Sequence, residues 1–244
     1  MKKQIVLALT LCFLFQGQVI TSCTSPQGNG KPDKEKSGTS NLSEMDDKAE
    51  WRQLFNGRDL NGWKHVGEGS MSVEDGLIRG NGGMGLLYRV GEKFGNCTFR
   101  VVYKMRDTNS NSGIFTRIPI EPYEEWMPVH YAHEIQIDNH PELSDEDDYH
   151  YTGTIYSLSY PMTKPGRPGP EWNTMVITLD GSRTIVYVND EKVTDYKEGD
   201  DVPERKFDFE PYRGARPDSG YFGLQNHGEN DVVYFKEVAV KNIN

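Results

Sequence analysis

Long hydrophobic runs and positive charge are both scarce in this sequence of 244 residues. Hydrophobic residues make up 35% and the mean hydropathy is -0.71, which excludes an integral protein with several membrane spans. Only 27 Lys and Arg stand against 37 Asp and Glu, giving a net charge of -10. Because nucleic acids are bound largely through Lys and Arg on their phosphates, this balance argues against a nucleic-acid partner. Aromatic residues reach 11%, which argues against a disordered acidic chain.

The single apolar run lies at the start and is too short to cross a membrane. It extends from Ile5 to Phe15 and follows the basic start Met1-Lys2-Lys3. Ile20-Thr21-Ser22 then leads into Cys23, as in a bacterial lipobox. We therefore predict a lipoprotein signal peptide over residues 1–22 and a lipid on Cys23. The alternative is an ordinary secretory signal in which the cysteine is accidental.

Cysteine is rare, which argues against a disulfide framework. Of the three cysteines, Cys12 lies in the signal and Cys23 is the predicted lipidation site. Cys97 then stays alone, and at the start of a strand-like run it is expected to be a buried small residue. Residues 23–46 have linker composition, so we predict one domain over residues 47–244 that is tethered to a membrane through the lipid. The expected location is the cell envelope, either in the periplasm or on the outer-membrane surface.

No helical periodicity is evident in this predicted domain. Short alternating runs such as Thr98–Met105 are separated by turn residues, and Asp180-Gly181-Ser182 joins two such runs. This pattern predicts an all-β fold, a β-sandwich or jelly roll. Two connecting segments, 118–131 and 160–171, are too long for hairpin turns, and we expect these loops to shape a binding face. In the first, Trp126 could stack on a sugar ring or pack beneath the loop.

One predicted strand, Tyr131–Asn139, alternates between the two faces of a sheet. Ile135 and Ile137 point towards the core together with His133, which leaves Glu134, Gln136 and Asp138 on the other face. From this strand alone, a polar solvent-facing surface is the more plausible interpretation.

Three further runs repeat this pattern. In 220–228, Gln225 and His227 lie opposite the apolar pair Phe222 and Leu224, and Gly223 is expected to leave room for a ligand. The runs 112–117 and 154–158 can place Arg117 and Tyr156 on the same surface. The pattern does not give the strand order, so adjacency is an assumption. With it, one concave face suited to sugar hydroxyls and acid–base chemistry holds Arg117, Glu134, Gln136, Asp138, Tyr156, Gln225 and His227.

Several short motifs extend in order over nearly the whole chain from Leu54 onward. They are LFNGRDLNGW at 54–63, VEDGL at 73–77, NSGIF at 111–115, EIQID at 134–138, GTIY at 153–156, EWN at 171–173 and GLQNHG at 223–228. Each motif is weak alone, but together they resemble one known family, the 3-keto-disaccharide hydrolase domain. The resemblance implies a concanavalin A-like jelly roll, activity on glycosides oxidised at C3, and an exported lipoprotein of the Bacteroidetes type.

The chemistry that this resemblance implies fits the polar face. A ketone at C3 acidifies the hydrogen on C2, so that a base can remove it and the substituent at C1 can leave. The resemblance suggests Glu134 or His227 as the base, and Arg117 or a divalent ion as the stabiliser of the oxyanion. Gln136, Asp138, Tyr156 and Gln225 would orient hydroxyls. Glu134 and His227 could hold the ion, although no ligand spacing establishes a metal or any other cofactor.

A second hypothesis remains open on the sequence alone. Jelly rolls also serve as binding modules, so the chain could be a non-catalytic surface lipoprotein that binds glycans. Under both hypotheses the partners are an oligosaccharide or glycoside and, through Cys23, a membrane.

Overall fold

The computed structural model describes residues 51–140 and 148–243. The predicted signal peptide, Cys23 and the linker lie outside these residues. In the described part, no helix has the length and hydropathy needed to cross a membrane. The elements are β1 (Arg52–Gln53), β2 (Trp63–Gly67), β3 (Ser70–Glu74), β4 (Leu77–Asn81), β5 (Gly85–Arg89), β6 (Cys97–Met105), β7 (Ser112–Ile118), α1 (Trp126–Tyr131), β8 (His133–Ile137), a 3-10 turn (Asp148–His150), β9 (Asn173–Asp180), β10 (Arg183–Val188), β11 (Glu191–Lys197), β12 (Tyr221–Asn226) and β13 (Val233–Asn242).

The strands form two antiparallel sheets, which confirms the predicted all-β jelly-roll sandwich. One sheet has eight strands in the order β11-β10-β9-β6-β13-β4-β3, with β1 added beside β13. The other has five, in the order β2-β5-β12-β7-β8. Turn chemistry fixes the hairpins: Asn189 and Asp190 between β10 and β11 take φ values of 48° and 69°, as a two-residue hairpin turn requires.

The core lies between the two sheets and follows the alternation in the sequence. Phe99, Val101 and Tyr103 of β6 are fully buried, whereas Arg100 and Val102 between them are partly exposed. Phe99 stacks on Phe222 of the opposite sheet with a centroid distance of 4.5 Å. Burial of each such side chain stabilises the fold by about 1.5–3 kcal/mol, so this apolar layer holds the sheets face to face.

Cys97 and His133 belong to the protein interior. Cys97 is a free buried thiol, and burial raises its pKa to about 12. His133 is fully buried, with Nε2 at 3.3 Å from Glu198, and burial lowers its pKa to about 4. Both residues are therefore where the sequence predicted them, in the interior.

The predicted loop 118–131 differs from expectation in its second half. The short helix α1 ends it, with Pro128 at the third helical position, where a missing N–H is tolerated. Met127 and Val129 of α1 pack on a second apolar cluster on the outer face of the five-stranded sheet, with Leu86, Tyr88 and Phe115. The helix therefore covers one end of that face and leaves the other end open.

Candidate active site

A cleft of about 660 Å³ lies on the open part of this outer face. Three neighbouring strands lie beneath it, because β7 pairs with β12 on one side and with β8 on the other. Gly113 is opposite Gln136, and Phe115 is opposite Glu134. The structure thus supplies the adjacency of three predicted strands that the sequence pattern could not give.

Most of the sequence-predicted residues meet in this cleft. Tyr156 reaches it by another route than predicted, because 154–158 is not a strand of the sheet. Ile155 makes one isolated bridge with Ile135, and the Tyr156 N–H donates to the Glu134 carbonyl at 2.8 Å. The predicted residues that line the cleft are Trp126, Glu134, Gln136, Asp138, Tyr156, Gln225 and His227.

Arg117 is the exception, and its predicted place on the shared face is wrong. It has a φ of 57°, which breaks the alternation of β7 at an irregularity in the pairing with β12. Ile118 consequently packs beside Phe115 on the outer face. The Arg117 guanidinium, buried on the other side, donates to the carbonyls of Gly181 at 2.6 Å and Pro217 at 3.0 Å. It therefore ties two loops to β7 and does not reach the cleft.

The room beside the carboxylate comes from Gly113, and the prediction that Gly223 provides it is wrong. A Cβ on Gly113 would lie 2.6 Å from Oε1 of Glu134, so only glycine lets that carboxylate lie across β7. A Cβ on Gly223 would instead meet the Leu86 side chain at 2.8 Å. The missing side chain at Gly223 therefore makes room for Leu86, whereas the missing side chain at Gly113 makes room for the Glu134 carboxylate.

Glu134 is a nearly buried carboxyl group, 5% exposed. Burial raises its pKa to about 7, although the charge of His227 and a hydrogen bond from Gln225 act in the opposite direction. A carboxyl group with a pKa near neutrality can accept and return a proton at ordinary pH, which is the property of a general acid–base group.

His227 follows the end of β12 and is oriented by Asp231. Its Nδ1 lies 2.8 Å from Oδ2 of Asp231, which leaves Nε2 as the free ring nitrogen. Burial disfavours the imidazolium, but the hydrogen bond and charge of Asp231, with Glu134 and Asp138 nearby, raise the pKa of His227. The cleft therefore favours the charged form of this histidine.

Asn111 links the polar groups of the cleft into one network. Its side-chain oxygen accepts from Nε2 of Gln136 at 3.2 Å, and its Nδ2 donates to Asp138 at 3.4 Å. Its backbone N–H donates to Oδ1 of Asp231 at 3.0 Å. Asp138 is largely buried, which raises its pKa to about 6 against the opposing hydrogen bond from the His140 N–H. The network holds β7, β8 and the turn after β12 in one arrangement.

Two acceptors in the cleft have no partner among the described residues. The side-chain oxygens of Gln136 and Gln225 are both buried without a hydrogen bond there. An unpaired buried oxygen costs about 1–3 kcal/mol, so the positions suit a ligand that donates hydroxyl groups.

Aromatic side chains form part of the cleft rim. Trp126 is 42% exposed and Phe209 is 43% exposed, and both line the cleft. Sequence reasoning missed Phe209, Asp231 and Asn111. Asp231 has only its place four residues after His227 as a signal, and Phe209 has none, because an irregular loop carries it.

The donor set does not match a resident divalent metal site. Across residues 51–140 and 148–243, no three His, Cys, Asp or Glu side chains are grouped so that they could hold a metal ion. The predicted pair supplies two groups only, the Glu134 carboxylate and Nε2 of His227, since Nδ1 of His227 lies against Asp231. The described residues therefore establish no metal site.

Comparison with known proteins identifies the family of this chain. The family model of the 3-keto-disaccharide hydrolase domain, described as a 3-keto-alpha-glucoside-1,2-lyase-like domain, matches residues 50–241. The chain belongs to this family, as its motifs predicted, and is thus a carbohydrate-active protein. No curated protein matches the chain in sequence.

Solved structures support the same fold. A candidate glycosyl hydrolase from Parabacteroides distasonis ATCC 8503 is 25% identical, with a TM-score of 0.67 over 82% of this chain and 97% of its own. A second candidate glycosyl hydrolase from the same organism is 21% identical, with a TM-score of 0.62 over 79% and 99%. A Bacillus subtilis protein with a galectin-like fold is 12% identical, with a TM-score of 0.55 over 79% and 94%.

Proposed function

We propose that this cleft cleaves 3-keto-glycosides by removing the proton on C2 and eliminating the substituent on C1. The C–H electrons form an enolate with the C3 ketone, the C1=C2 double bond then forms, and the C1–O bond breaks. The leaving oxygen takes a proton. Water adds back, with hydroxide at C1 and a proton at C2, to give the free 3-keto sugar.

The observation that carries this proposal is the buried Glu134 carboxyl group with its pKa at about 7 beside the His227–Asp231 pair. We assign the base to Glu134, because a desolvated carboxylate with a neutral pKa removes a proton more readily than an ordinary one. His227 is assigned as the acid at the leaving oxygen, since Asp231 favours its protonated form.

The rest of the cleft fits a sugar ring. The free amide oxygens of Gln136 and Gln225 would accept from hydroxyl groups, and Asp138 would do the same at the other end of the network. Arg117 is not part of this assignment because its guanidinium binds loop carbonyls.

The test incubates the purified domain with a 3-keto-glucoside, with and without a divalent metal, and measures released aglycone and 3-keto-glucose. We expect turnover by the parent and a loss of at least about 100-fold in Glu134→Gln and His227→Gln, in line with the usual size of acid–base contributions. Glu237→Gln on the eight-stranded sheet is the matched control and should keep full activity. Absence of turnover under every metal condition would remove the proposal.

A non-catalytic glycan-binding role is the second candidate. The exposed aromatic rim and the unpaired amide oxygens would serve binding equally well. This role predicts that the parent binds an intact glycan without forming product. It also predicts that the double variant Glu134→Gln, His227→Gln keeps most of the affinity. Product formation by the parent, or strongly weakened binding in the double variant, contradicts it.

We further propose that the protein is a lipoprotein of the cell envelope, anchored through Cys23. The proposal rests on the sequence of residues 1–23 and on the linker that comes after them. Metabolic labelling with a radioactive fatty acid should label the full chain and leave Cys23→Ser unlabelled. Equal labelling of both proteins would contradict the anchor.

A further inference from the structure

Two unlike sets of residues line the cleft. Polar residues lie on and next to β8 and β12, with Asn111 just before β7, and the apolar set is Met84, Trp126, Val129 and Phe209. These four lie on other parts of the chain: the loop before β5, helix α1 and the irregular loop 203–216. We call them the apolar wall.

Packing explains only half of the apolar wall. Met84 and Val129 pack against the second apolar cluster on the outer face of the sheet. Trp126 and Phe209, by contrast, line the cleft and keep 42% and 43% of their surfaces exposed. Water contact of two large aromatic side chains gives the fold no stability, so a ligand surface is the better explanation for them.

The loop that carries Phe209 is braced. The adjacent Glu210 is fully buried and accepts from the Lys206 N–H at 2.9 Å, and Arg205 donates to the Glu210 carbonyl at 3.2 Å. Phe207 stacks on Phe209 with centroids 5.0 Å apart and planes inclined by 7°. The aromatic surface is therefore presented to the cleft by a loop whose own contacts fix it.

We infer that the substrate of this cleft carries a flat apolar aglycone, an aromatic group, which lies on the apolar wall while the 3-keto sugar lies on the polar side. The inference rests on the proposed function and names its substrate class. A second sugar fits less well, because among the four residues of the apolar wall only Trp126 carries a hydrogen-bonding group for its hydroxyls. An aromatic ring needs none and gains from ring–ring contact.

The test compares three 3-keto-glucosides of the same anomeric configuration: methyl, 2-phenylethyl and a disaccharide. All three have alkoxide leaving groups, so the chemistry at C1 is closely matched and differences report on the aglycone. KM is measured by turnover. In parallel, the dissociation constant of the corresponding unoxidised glucosides is measured by calorimetry, which requires no catalysis.

We expect the phenylethyl compounds to bind about tenfold more tightly than the methyl compounds, a difference of about 1.4 kcal/mol. Phe209→Ala and Trp126→Ala should each remove most of this gain. Tyr123→Ala is the matched control: Tyr123 is 69% exposed in the segment before α1, does not line the cleft and should have no effect.

The outcomes separate the inference from the function. Turnover of the methyl compound without any phenylethyl gain overturns the inference and leaves the proposed function intact. A phenylethyl gain in calorimetry without turnover supports the apolar wall and overturns the catalytic proposal. A disaccharide that gains as much as the phenylethyl compound overturns the aromatic class of the aglycone.

Discussion

At the scale of single residues, the acid–base role that we propose for Glu134 comes with a cost in stability. In the unfolded chain its pKa is near the ordinary value of 4.5, and in the folded protein burial raises it to about 7. Between these pH values the folded state binds one proton more than the unfolded state, so stability falls as the pH rises. Above pH 7 the folded protein has to hold a buried carboxylate.

Glu134→Gln should therefore stabilise the protein at high pH. At pH 8 we expect a gain of about 3 kcal/mol, because each pKa unit corresponds to about 1.4 kcal/mol. The gain should vanish near pH 4.5. Urea unfolding at both pH values measures it, with Glu229→Gln, which changes an exposed carboxylate, as a control that alters neither value. A variant that is less stable than the parent at pH 8 would contradict the buried, raised-pKa carboxyl group.

In the reaction that we propose, Asp231 acts through His227. Glu134 must be ionised and His227 protonated, so kcat/KM should rise with pH through about 7 and fall again as His227 loses its proton. Asp231→Asn removes the charge that raises the pKa of His227. The alkaline limb should then move to lower pH, and the loss of kcat/KM relative to the parent should grow as the pH rises.

The pH profile distinguishes this positioning role from a structural one. A general loosening of the cleft would lower kcat/KM at all pH values without moving the alkaline limb. Glu229→Gln changes an exposed carboxylate in the same turn and should leave the profile as it is.

At the scale of elements, the pairing of β7 with β8 gives the carboxylate its place. The register puts Gly113 beside Gln136 and close to Glu134, so that the side chain of Glu134 lies over a strand position without a Cβ. The same strand changes its alternation at Arg117. Strand β7 thus leaves open space for the cleft at Gly113 and directs the Arg117 side chain to the interior side.

Gly113→Ala should displace the Glu134 carboxylate, since the new Cβ would lie 2.6 Å from its oxygen. We expect kcat/KM to fall by at least about tenfold, with a change in Tm of only a few degrees. Gly95→Ala is the matched control, because a Cβ there meets nothing closer than 3.7 Å. Unchanged activity in Gly113→Ala would contradict the proposed role of the carboxylate.

At the scale of the whole molecule, the two sheets are joined by more than their apolar layer. Arg117 of the five-stranded sheet donates to the carbonyls of Gly181 and Arg183 at the β9–β10 turn of the eight-stranded sheet. These are hydrogen bonds from a charged donor, which contribute about 1.5–3 kcal/mol each before the cost of burial. The Arg117 guanidinium thus links the two sheets through hydrogen bonds.

Arg117→Met should lower the free energy of unfolding by about 2–4 kcal/mol, because the loop carbonyls lose their donor. Turnover per folded molecule should stay within threefold of the parent, since the side chain is outside the cleft. Urea unfolding and kcat/KM measure the two effects. A fully stable variant that has lost turnover would restore Arg117 to the catalytic groups.

The sequence by itself determined the fold class and most of the candidate site. Alternation with a period of two fixes which face each side chain takes, so Glu134, Gln136, Gln225 and His227 could be assigned to one kind of surface, and His133 to the interior. Turn residues such as Asn189-Asp190 fixed the hairpins, because few residues adopt positive φ values. The motifs also predicted the family, and the resemblance suggested the chemistry that we propose.

Only the tertiary structure decided what depends on neighbours distant in sequence. Strand order brought β7, β8 and β12 together, and no local pattern encodes which strands pair. A single left-handed residue reversed the face of Arg117, and a period of two has no means of anticipating such a break. Phe209 reached the cleft on an irregular loop, where the side-chain direction is set by tertiary contacts alone.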